Sequence, residues 1–302
     1  MSYGGYYDEQ PRSGLSLRLI LGAAIALFAV LAYMFNTQKN PVTGEVQHIA
    51  MSVDEEKALG LQAAPRMAAK MGGAVDPRRD PAARLVAEVG RRLVARSDAE
   101  KSPYADNFHF YLLDDPSTIN AFALPGGQIF ITKGLLDKMT NEAQLAGVLG
   151  HETGHVICRH SAQQMAKTEL GSRLTTAVGV GASDRNGGNT AYLAAMMANQ
   201  MLQLRYSRHD ESEADAYGLR YMAEAGYDPS AMLDVMRILK ESSKGDRQPE
   251  FLATHPLPET RLQEIRAILE RDYPNGIPRS LTKGRRLDHG EVGRAGEDDW
   301  VR

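Results

Sequence analysis

The sequence contains almost no cysteine and no strong excess of charge of either sign. Cys158 is the single cysteine among 302 residues, so an intramolecular disulfide and a four-cysteine zinc site are both excluded. The formal net charge of −3 is too small to indicate nucleic-acid binding. The sequence also has no glycine-rich run ending in Lys-Ser or Lys-Thr, so it predicts no nucleotide partner. A metal site in this chain must therefore use histidines and carboxylates.

Long hydrophobic runs are also scarce, and one lies near the amino terminus. The segment 15–35 carries Arg18 as its single charge and would span roughly 30 Å as a helix, the thickness of a bilayer core. We predict a transmembrane signal-anchor over 15–35, preceded by a disordered stretch (1–14) and followed by a linker (36–52). A cleaved signal peptide, for which the residues around Phe35 form a poor cleavage site, and a buried core helix are the alternatives.

The chain as a whole has the composition of a globular protein, with 43% hydrophobic and 24% charged residues. We predict one domain over 53–272 and a flexible tail over 273–302. The first half of the predicted domain contains helical patterns that begin near Ser52 and at Asp80-Pro81. Three short β-rich segments follow, at 108–114, 120–127 and 128–134. Pro125 cannot donate a ladder hydrogen bond, so the middle strand is expected to end at a sheet edge.

The sequence HETGH lies within a predicted helix over 142–165. On such a helix His151 and His155 differ by only ~40° in direction, so both imidazoles can reach one cation. Glu152 projects ~100° from His151, close enough to contact a water molecule in that site without binding the ion. Two unrelated core or surface histidines are the alternative, but a chance H-E-x-x-H is rare in a chain with 8 histidines.

Three glycines form a stripe beside the two histidines of this helix. Gly147, Gly150 and Gly154 each cost roughly 1 kcal/mol relative to alanine in a helix interior. We therefore expect another helix or strand to approach closely along the stripe.

A catalytic zinc site needs a third protein ligand. On a continuous helix His160 would point ~140° away from His155, so we predict that it faces solvent. A second predicted helix, over 192–225, places Glu211 and Asp215 on one face and Glu213 nearly opposite. We expect Glu211 to bind the metal and Asp215 to hold a ligating histidine by its second ring nitrogen. Between the two helices, residues 171–189 are rich in glycine and predict a mobile loop.

HETGH preceded by NEAQLAGVLG, followed by ESEAD and then HPLPETR, resembles the HtpX, BepA and CAAX prenyl protease family of zinc metallopeptidases. The resemblance covers residues 53–268 and implies an α+β, predominantly helical, zincin-like domain with a small β-sheet. It also implies zinc bound by His151, His155 and Glu211, with Glu152 as general base. NAFALPGG matches the family's edge strand, so the resemblance implies that a peptide substrate pairs beside the cleft with the residues Asn120, Ala121, Phe122 and Ala123.

The segment THPLPETR allows two interpretations. The resemblance implies that His255 approaches the zinc or the cleft, as a regulator or a hydrogen-bond donor, and that Arg261 stabilises an oxyanion. A plain reading places His255 and Pro256 in a loop before a helix, with Arg261 on that helix's surface.

These observations lead to one expected function and two rivals. We expect a membrane-anchored zinc endopeptidase, single-pass in the cell membrane, that acts outside the cytoplasm (in the periplasm if bacterial) on unfolded or misassembled polypeptides. Arg12 before the apolar run and Arg18 near its start favour a cytoplasmic amino end. The rivals are a non-catalytic chaperone or scaffold whose zinc has a fourth ligand such as His255, and a latent protease blocked by His255. Cys158 is expected to be a buried apolar residue, with redox sensitivity left open.

Overall fold

The computed structural model describes residues 13–182, 205–244, 249–256 and 259–287. The greater part of the predicted amino-terminal disordered stretch, the second part of the predicted loop, the beginning of the predicted helix at 192 and the tail beyond 287 lie outside these ranges.

The described part of the chain is mostly helical, with two small sheets, and belongs to the predicted α+β class. The helices are α1 Ser13–Phe35, α2 Val53–Lys70, α3 Pro81–Ala95, α4 Lys133–Leu136, α5 Glu142–Ile157, α6 His160–Ala182, α7 Arg208–Glu224, α8 Ala231–Ser242, α9 Phe251–Thr254 and α10 Glu259–Asp272. Short 3-10 helices cover Asp98–Lys101 and Ala105–Asn107. Within the described ranges, no helix reaches the combined length and apolar character of a membrane span.

The sheets are short, and the larger one lies in the region predicted from the sequence. Strands β1 Gln38–Lys39 and β2 Val46–Gln47 form an antiparallel pair. Strands β3 His109–Leu113, β4 Ala121–Leu124 and β5 Gln128–Thr132 form a sheet in the order β3-β5-β4. Strand β5 is parallel to β3 and antiparallel to β4. The middle predicted strand thus ends at Leu124, before Pro125, at a sheet edge.

Helix α5 lies at the centre of the fold, and every one of its residues is buried. It packs against α3, α7, α8 and β4. The glycine stripe permits the closest of these contacts, because a Cβ on Gly150 would lie 3.3 Å from the Cα of Gly218, and one on Gly154 would lie 2.9 Å from the carbonyl oxygen of Ala214. The expected close approach is therefore made by α7.

The single helix predicted over 142–165 is wrong, because the chain breaks after Ile157 and α6 begins at His160. Arg159 occupies the left-handed region with φ 57°, which few residues other than glycine adopt. The cost of this backbone conformation is offset by the Arg159 guanidinium, which bonds to buried Glu56 of α2 with Nε 2.8 Å from Oε1. The mobile loop predicted from residue 171 is also wrong as far as 182, since that stretch continues α6, which packs along α1.

Helix α7 begins later than the sequence pattern predicts. Residues 205–207 are not helical, and Ser207 caps the helix by accepting a hydrogen bond from the Asp210 amide at 3.2 Å. Asp210 completes a capping box because its Oδ2 accepts from the Ser207 amide at 2.8 Å.

Both ends of α5 are tied to distant parts of the chain by hydrogen bonds. At its start, the amides of Glu142 and Ala143 donate to the carbonyls of Arg285 and Lys283, each at 3.0 Å. At its end, the side-chain amide of Asn40 donates to the Ile157 carbonyl at 2.8 Å. The segment 273–287, predicted to belong to a flexible tail, is therefore packed against the domain.

Candidate metal centre

The close packing of α5 on α7 brings the three predicted metal ligands together. His151 Nε2 and His155 Nε2 lie 3.0 Å apart. Glu211 faces both rings, with Oε2 3.7 Å from His151 Nε2 and Oε1 3.5 Å from His155 Nε2. All three side chains are buried.

These donors fit a metal ion in kind and in arrangement. Two imidazole nitrogens and one carboxylate form a ligand set that suits zinc and other divalent transition metals. The donor atoms of His151, His155, Glu211 and His255 all lie within 4.8 Å of one another. Burial raises the pKa of Glu211, but the opposing effects of His255, His155 and Arg261 are larger and the net pKa lies well below its ordinary value. The carboxylate form that a metal requires is thus favoured.

A carboxylate fixes the orientation of the first histidine. Asp215 Oδ1 lies 2.9 Å from His151 Nδ1, as expected from the sequence. This contact assigns the ring hydrogen to Nδ1, which leaves the lone pair of Nε2 facing His155 and Glu211. Arg261 holds Asp215 in turn, through Nε to Oδ2 at 2.8 Å and Nη2 to Oδ1 at 2.7 Å.

The second histidine is held by a residue that the sequence analysis placed on the surface. His160 is 1% exposed, and its Nδ1 lies 2.8 Å from His155 Nδ1. The solvent-facing prediction is wrong because the break at Arg159 turns His160 back toward the site, whereas a continuous helix would point it away. On its other side His160 Nε2 lies 3.0 Å from Glu213 Oε2.

Glu152 is a buried carboxylate. It is 0% exposed, and neither Oε1 nor Oε2 has a hydrogen-bond partner among the residues that the structure describes. Burial raises its pKa, although the nearby His255 and His151 partly offset this effect. A buried carboxylate that lacks partners is costly, so its retention beside the histidines points to a chemical role.

His255 follows α9 and reaches into the metal centre. Its Nδ1 lies 2.9 Å from Glu211 Oε1 and 3.4 Å from His151 Nε2, and its Nε2 lies 3.7 Å from Glu152 Oε1. Burial alone would lower its pKa, but Glu211 and Glu152 raise it, and the net shift is upward. His255 therefore occupies the space next to the predicted ligands, where a fourth ligand or a water molecule would lie.

Arg261 is buried beneath Glu211 and does not lie on the surface of α10. It is 1% exposed, and its Nη1 lies 2.5 Å from Glu211 Oε2 and 3.1 Å from the Pro256 carbonyl. Together with the two bonds to Asp215, these contacts engage all three nitrogens of the guanidinium. The contacts favour a role in holding Glu211 and Asp215 over the predicted role as an oxyanion donor.

The predicted substrate strand corresponds to β4, with Asn120 just before it. The Asn120 carbonyl accepts from the Thr132 amide at 3.0 Å, and Phe122 is aligned with Phe130. Because hydrogen-bonded and non-hydrogen-bonded pairs alternate along an antiparallel ladder, the peptide groups of Ala121 and Ala123 face away from β5. Asn120 Oδ1 is buried and has no hydrogen-bond partner within the described part of the chain.

Three residues of the centre were not identified as such from the sequence. Tyr206 stacks on His155 with ring centroids 4.1 Å apart, and its hydroxyl lies 2.9 Å from Ser161 Oγ. No pattern marks Tyr206, whereas His160 and Glu213 were noted and placed elsewhere.

Cys158 is buried as expected, and burial raises the pKa of its thiol.

Comparisons with known proteins identify the family of this chain. The model of the family described as Peptidase family M48 matches residues 81–269. The beta-barrel assembly-enhancing protease of Escherichia coli (strain K12) is 32% identical over 216 residues, which cover 68% of this chain and 43% of that protein. The mitochondrial metalloendopeptidase OMA1 of Schizosaccharomyces pombe is 30% identical over 249 residues, or 82% of this chain and 69% of that protein. The chain thus spans less than half the length of its bacterial relative.

Proposed function

The chain belongs to peptidase family M48, and from that premise we propose that it is a zinc-dependent endopeptidase. The observation that carries this proposal is the convergence of His151 Nε2, His155 Nε2 and the Glu211 carboxylate beside the unpartnered carboxylate of Glu152. Imidazole and carboxylate ligands with an adjacent free carboxylate are the parts that metal-assisted peptide hydrolysis needs.

Each residue has a defined part in the proposed reaction. His151, His155 and Glu211 would hold zinc, which supplies a Lewis acid that polarises the scissile carbonyl and acidifies water. Glu152 accepts the proton of the attacking water molecule and passes it to the leaving amine. Its complete burial keeps bulk water, a competing hydrogen-bond donor, away from the carboxylate.

The proposed substrate is an extended polypeptide that pairs with β4. The peptide groups of Ala121 and Ala123 face away from β5, but both residues are buried, so this edge must be uncovered before one more strand can pair with it. Asn120 Oδ1 would then accept a backbone N–H. Pairing between main chains requires no particular substrate side chain. Binding beside β4 therefore suits unfolded or misassembled polypeptides of varied sequence. The Escherichia coli relative is named for enhancing beta-barrel assembly, and we extend to this chain a general role in protein quality control.

We also propose that α1 anchors the protein in a membrane, with the catalytic domain outside the cytoplasm. Support comes from the large apolar side chains that the described residues expose, because most of them lie on this one helix. They are Leu17, Leu19, Ile20, Leu21, Leu27, Phe28, Leu31, Met34 and Phe35. Contiguous apolar exposure of this kind marks surfaces that contact lipid or protein rather than water.

A latent form of the same enzyme is supported by the position of His255. Its Nδ1 lies 2.9 Å from Glu211 Oε1, among the proposed ligands, so His255 is placed to bind zinc as a fourth ligand. A site closed in this way would lack the open position that catalysis requires. Activity would then depend on displacement of His255.

The test is digestion of casein by the purified full-length protein, with zinc measured in the same samples. Wild-type protein should contain zinc and cleave casein, and a chelator should abolish cleavage. Glu152→Gln should retain zinc and lose cleavage. Bound zinc without chelator-sensitive cleavage in both wild type and His255→Ala would favour the non-catalytic scaffold, because a latent enzyme should gain activity in the second. Full activity of Glu152→Gln would refute the role of Glu152.

A further inference from the structure

A second group of potential metal-binding side chains lies next to the proposed zinc site. It consists of Cys158, His160 and Glu213. His160 connects this group to the first site, because its Nδ1 lies 2.8 Å from His155 Nδ1 while its Nε2 lies 3.0 Å from Glu213 Oε2. The group is therefore either a second metal site or a support for the first.

The hydrogens of the two imidazoles decide between these alternatives. A neutral imidazole carries one ring hydrogen, and a histidine that binds a metal through Nε2 carries it on Nδ1. His155 Nδ1 then donates to His160 Nδ1, which accepts. The hydrogen of His160 is consequently on Nε2, where it donates to the Glu213 carboxylate. In the series His155–His160–Glu213 every hydrogen-bond donor then meets an acceptor. Nε2 of His155 keeps its lone pair for the metal.

A second metal ion on His160 would break this arrangement. It would remove the hydrogen from His160 Nε2, and the two Nδ1 atoms share only one hydrogen between them. With both sites filled, one ring would have no hydrogen on either nitrogen and would be an imidazolate anion. Cys158 also opposes a second site, since burial raises the pKa of its thiol and metal binding requires the thiolate.

We propose that His160 and Glu213 are positioning residues that hold His155 as a metal ligand. This inference rests on the proposed zinc site. His160 and Glu213 do for His155 what Asp215 and Arg261 do for His151, so each metal-binding imidazole is held at Nδ1 by a hydrogen-bonded pair of side chains that includes a carboxylate.

The helix break after α5 makes this support possible. His160 and Ser161 form the first turn of α6, directly after Arg159 in its left-handed conformation. His160 contacts the edge of the His155 ring, while Ser161 holds Tyr206, which covers a face of the same ring. One turn of helix thus restrains His155 in two directions.

The test is the zinc affinity of the purified full-length protein, measured by competition with a chromophoric chelator. Glu213→Ala removes the acceptor, whereas Glu213→Gln keeps an acceptor oxygen without the charge. Affinity should fall in the order wild type, Glu213→Gln, Glu213→Ala, with a total loss of about 10-fold to 100-fold. Glu264→Gln is the matched control, because this exposed carboxylate bonds to neighbouring Ser212, and it should bind zinc as wild type does.

Two further measurements separate positioning from folding and from a second site. The unfolding midpoint of the metal-free protein should be the same for wild type and Glu213→Gln, and nitrogen-15 NMR should find the His155 hydrogen on Nδ1. Wild type and Cys158→Ser should both bind one zinc ion per chain.

Unchanged affinity in both Glu213 variants would overturn the inference while leaving the proposed function intact. Two zinc ions in wild type and one in Cys158→Ser would also overturn it, in favour of a second metal site. Failure of wild type to bind any zinc would instead remove the proposed function, and the inference with it.

Discussion

Arg159 Nη2 lies 2.5 Å from Glu56 Oε1, and both side chains are almost completely buried. Tyr104 donates to the other carboxylate oxygen of Glu56 at 2.8 Å. Glu56 lies on α2 and Arg159 joins α5 to α6, so this ion pair stabilises the break that places His160 beside His155.

Glu56→Gln should destabilise the protein by about 3 kcal/mol, because it leaves the guanidinium of Arg159 buried without a counter-charge. Urea denaturation of wild type and variant measures this difference. Asp106→Asn, which removes an exposed ion pair with Lys57, is the matched control and should leave the midpoint unchanged. A Glu56→Gln variant as stable as the control would show that the pair does not support the break.

Gly154→Ala should separate α5 from α7. The added Cβ would lie 2.9 Å from the Ala214 carbonyl oxygen and 3.1 Å from its Cα, so the backbone of α7 would have to shift. We expect a loss of about 1–3 kcal/mol in unfolding free energy, together with weaker zinc binding, because His155 would move away from Glu211.

Gly171→Ala makes the same chemical change on an exposed turn of α6, where no described residue lies within 4 Å of the added Cβ. It should leave zinc binding unchanged and stabilise the helix by up to about 1 kcal/mol. Equal effects of the two alanine substitutions would contradict the close-packing argument.

His255→Ala tests the latent form. Removal of the fourth donor should leave the zinc content unchanged and raise the rate of casein cleavage, since a position on the metal becomes available to water and substrate. His209→Ala, at an exposed position in the first turn of α7, is the control and should cleave casein at the wild-type rate. Unchanged or reduced turnover in His255→Ala would count against latency.

Arg261→Lys distinguishes the two roles considered for this arginine. Lysine cannot make the paired bonds to Asp215 while also contacting Glu211, so we expect weaker zinc binding, with activity restored in large part by excess zinc. An oxyanion donor would behave differently, with unchanged zinc affinity and a lower kcat at saturating zinc. Arg266→Lys, on the exposed face of α10, should alter neither quantity.

The central part of the site could be predicted because its signals are local. His151, Glu152 and His155 lie on one helix, and the spacing of Glu211 and Asp215 fixes their common face. The position of His160 could not be predicted in this way. Arg159 adopts the left-handed conformation although it is neither glycine nor asparagine, so the local sequence does not indicate a break there. The conformation depends on Glu56, which lies 103 positions away in the chain.

The ends of elements were also hard to predict where tertiary contacts determine them. Residues 171–182 are glycine-containing and weakly periodic, yet they continue α6, a helix that packs against α1. Residues 281–287 have the composition of a tail, but their carbonyls accept hydrogen bonds from the first turn of α5. Neither partner is visible in the local sequence.

The attachment of α5 at both ends has a practical consequence for shortened versions of this protein. Removal of residues before Asn40 preserves the amide that binds the Ile157 carbonyl, and trimming beyond Leu287 preserves the bond from its amide to Thr140. A fragment cut to the family match alone, 81–269, would leave main-chain groups at each terminus of that helix unsatisfied. Such a fragment should be recovered as aggregate, and soluble recombinant material should require at least 40–287.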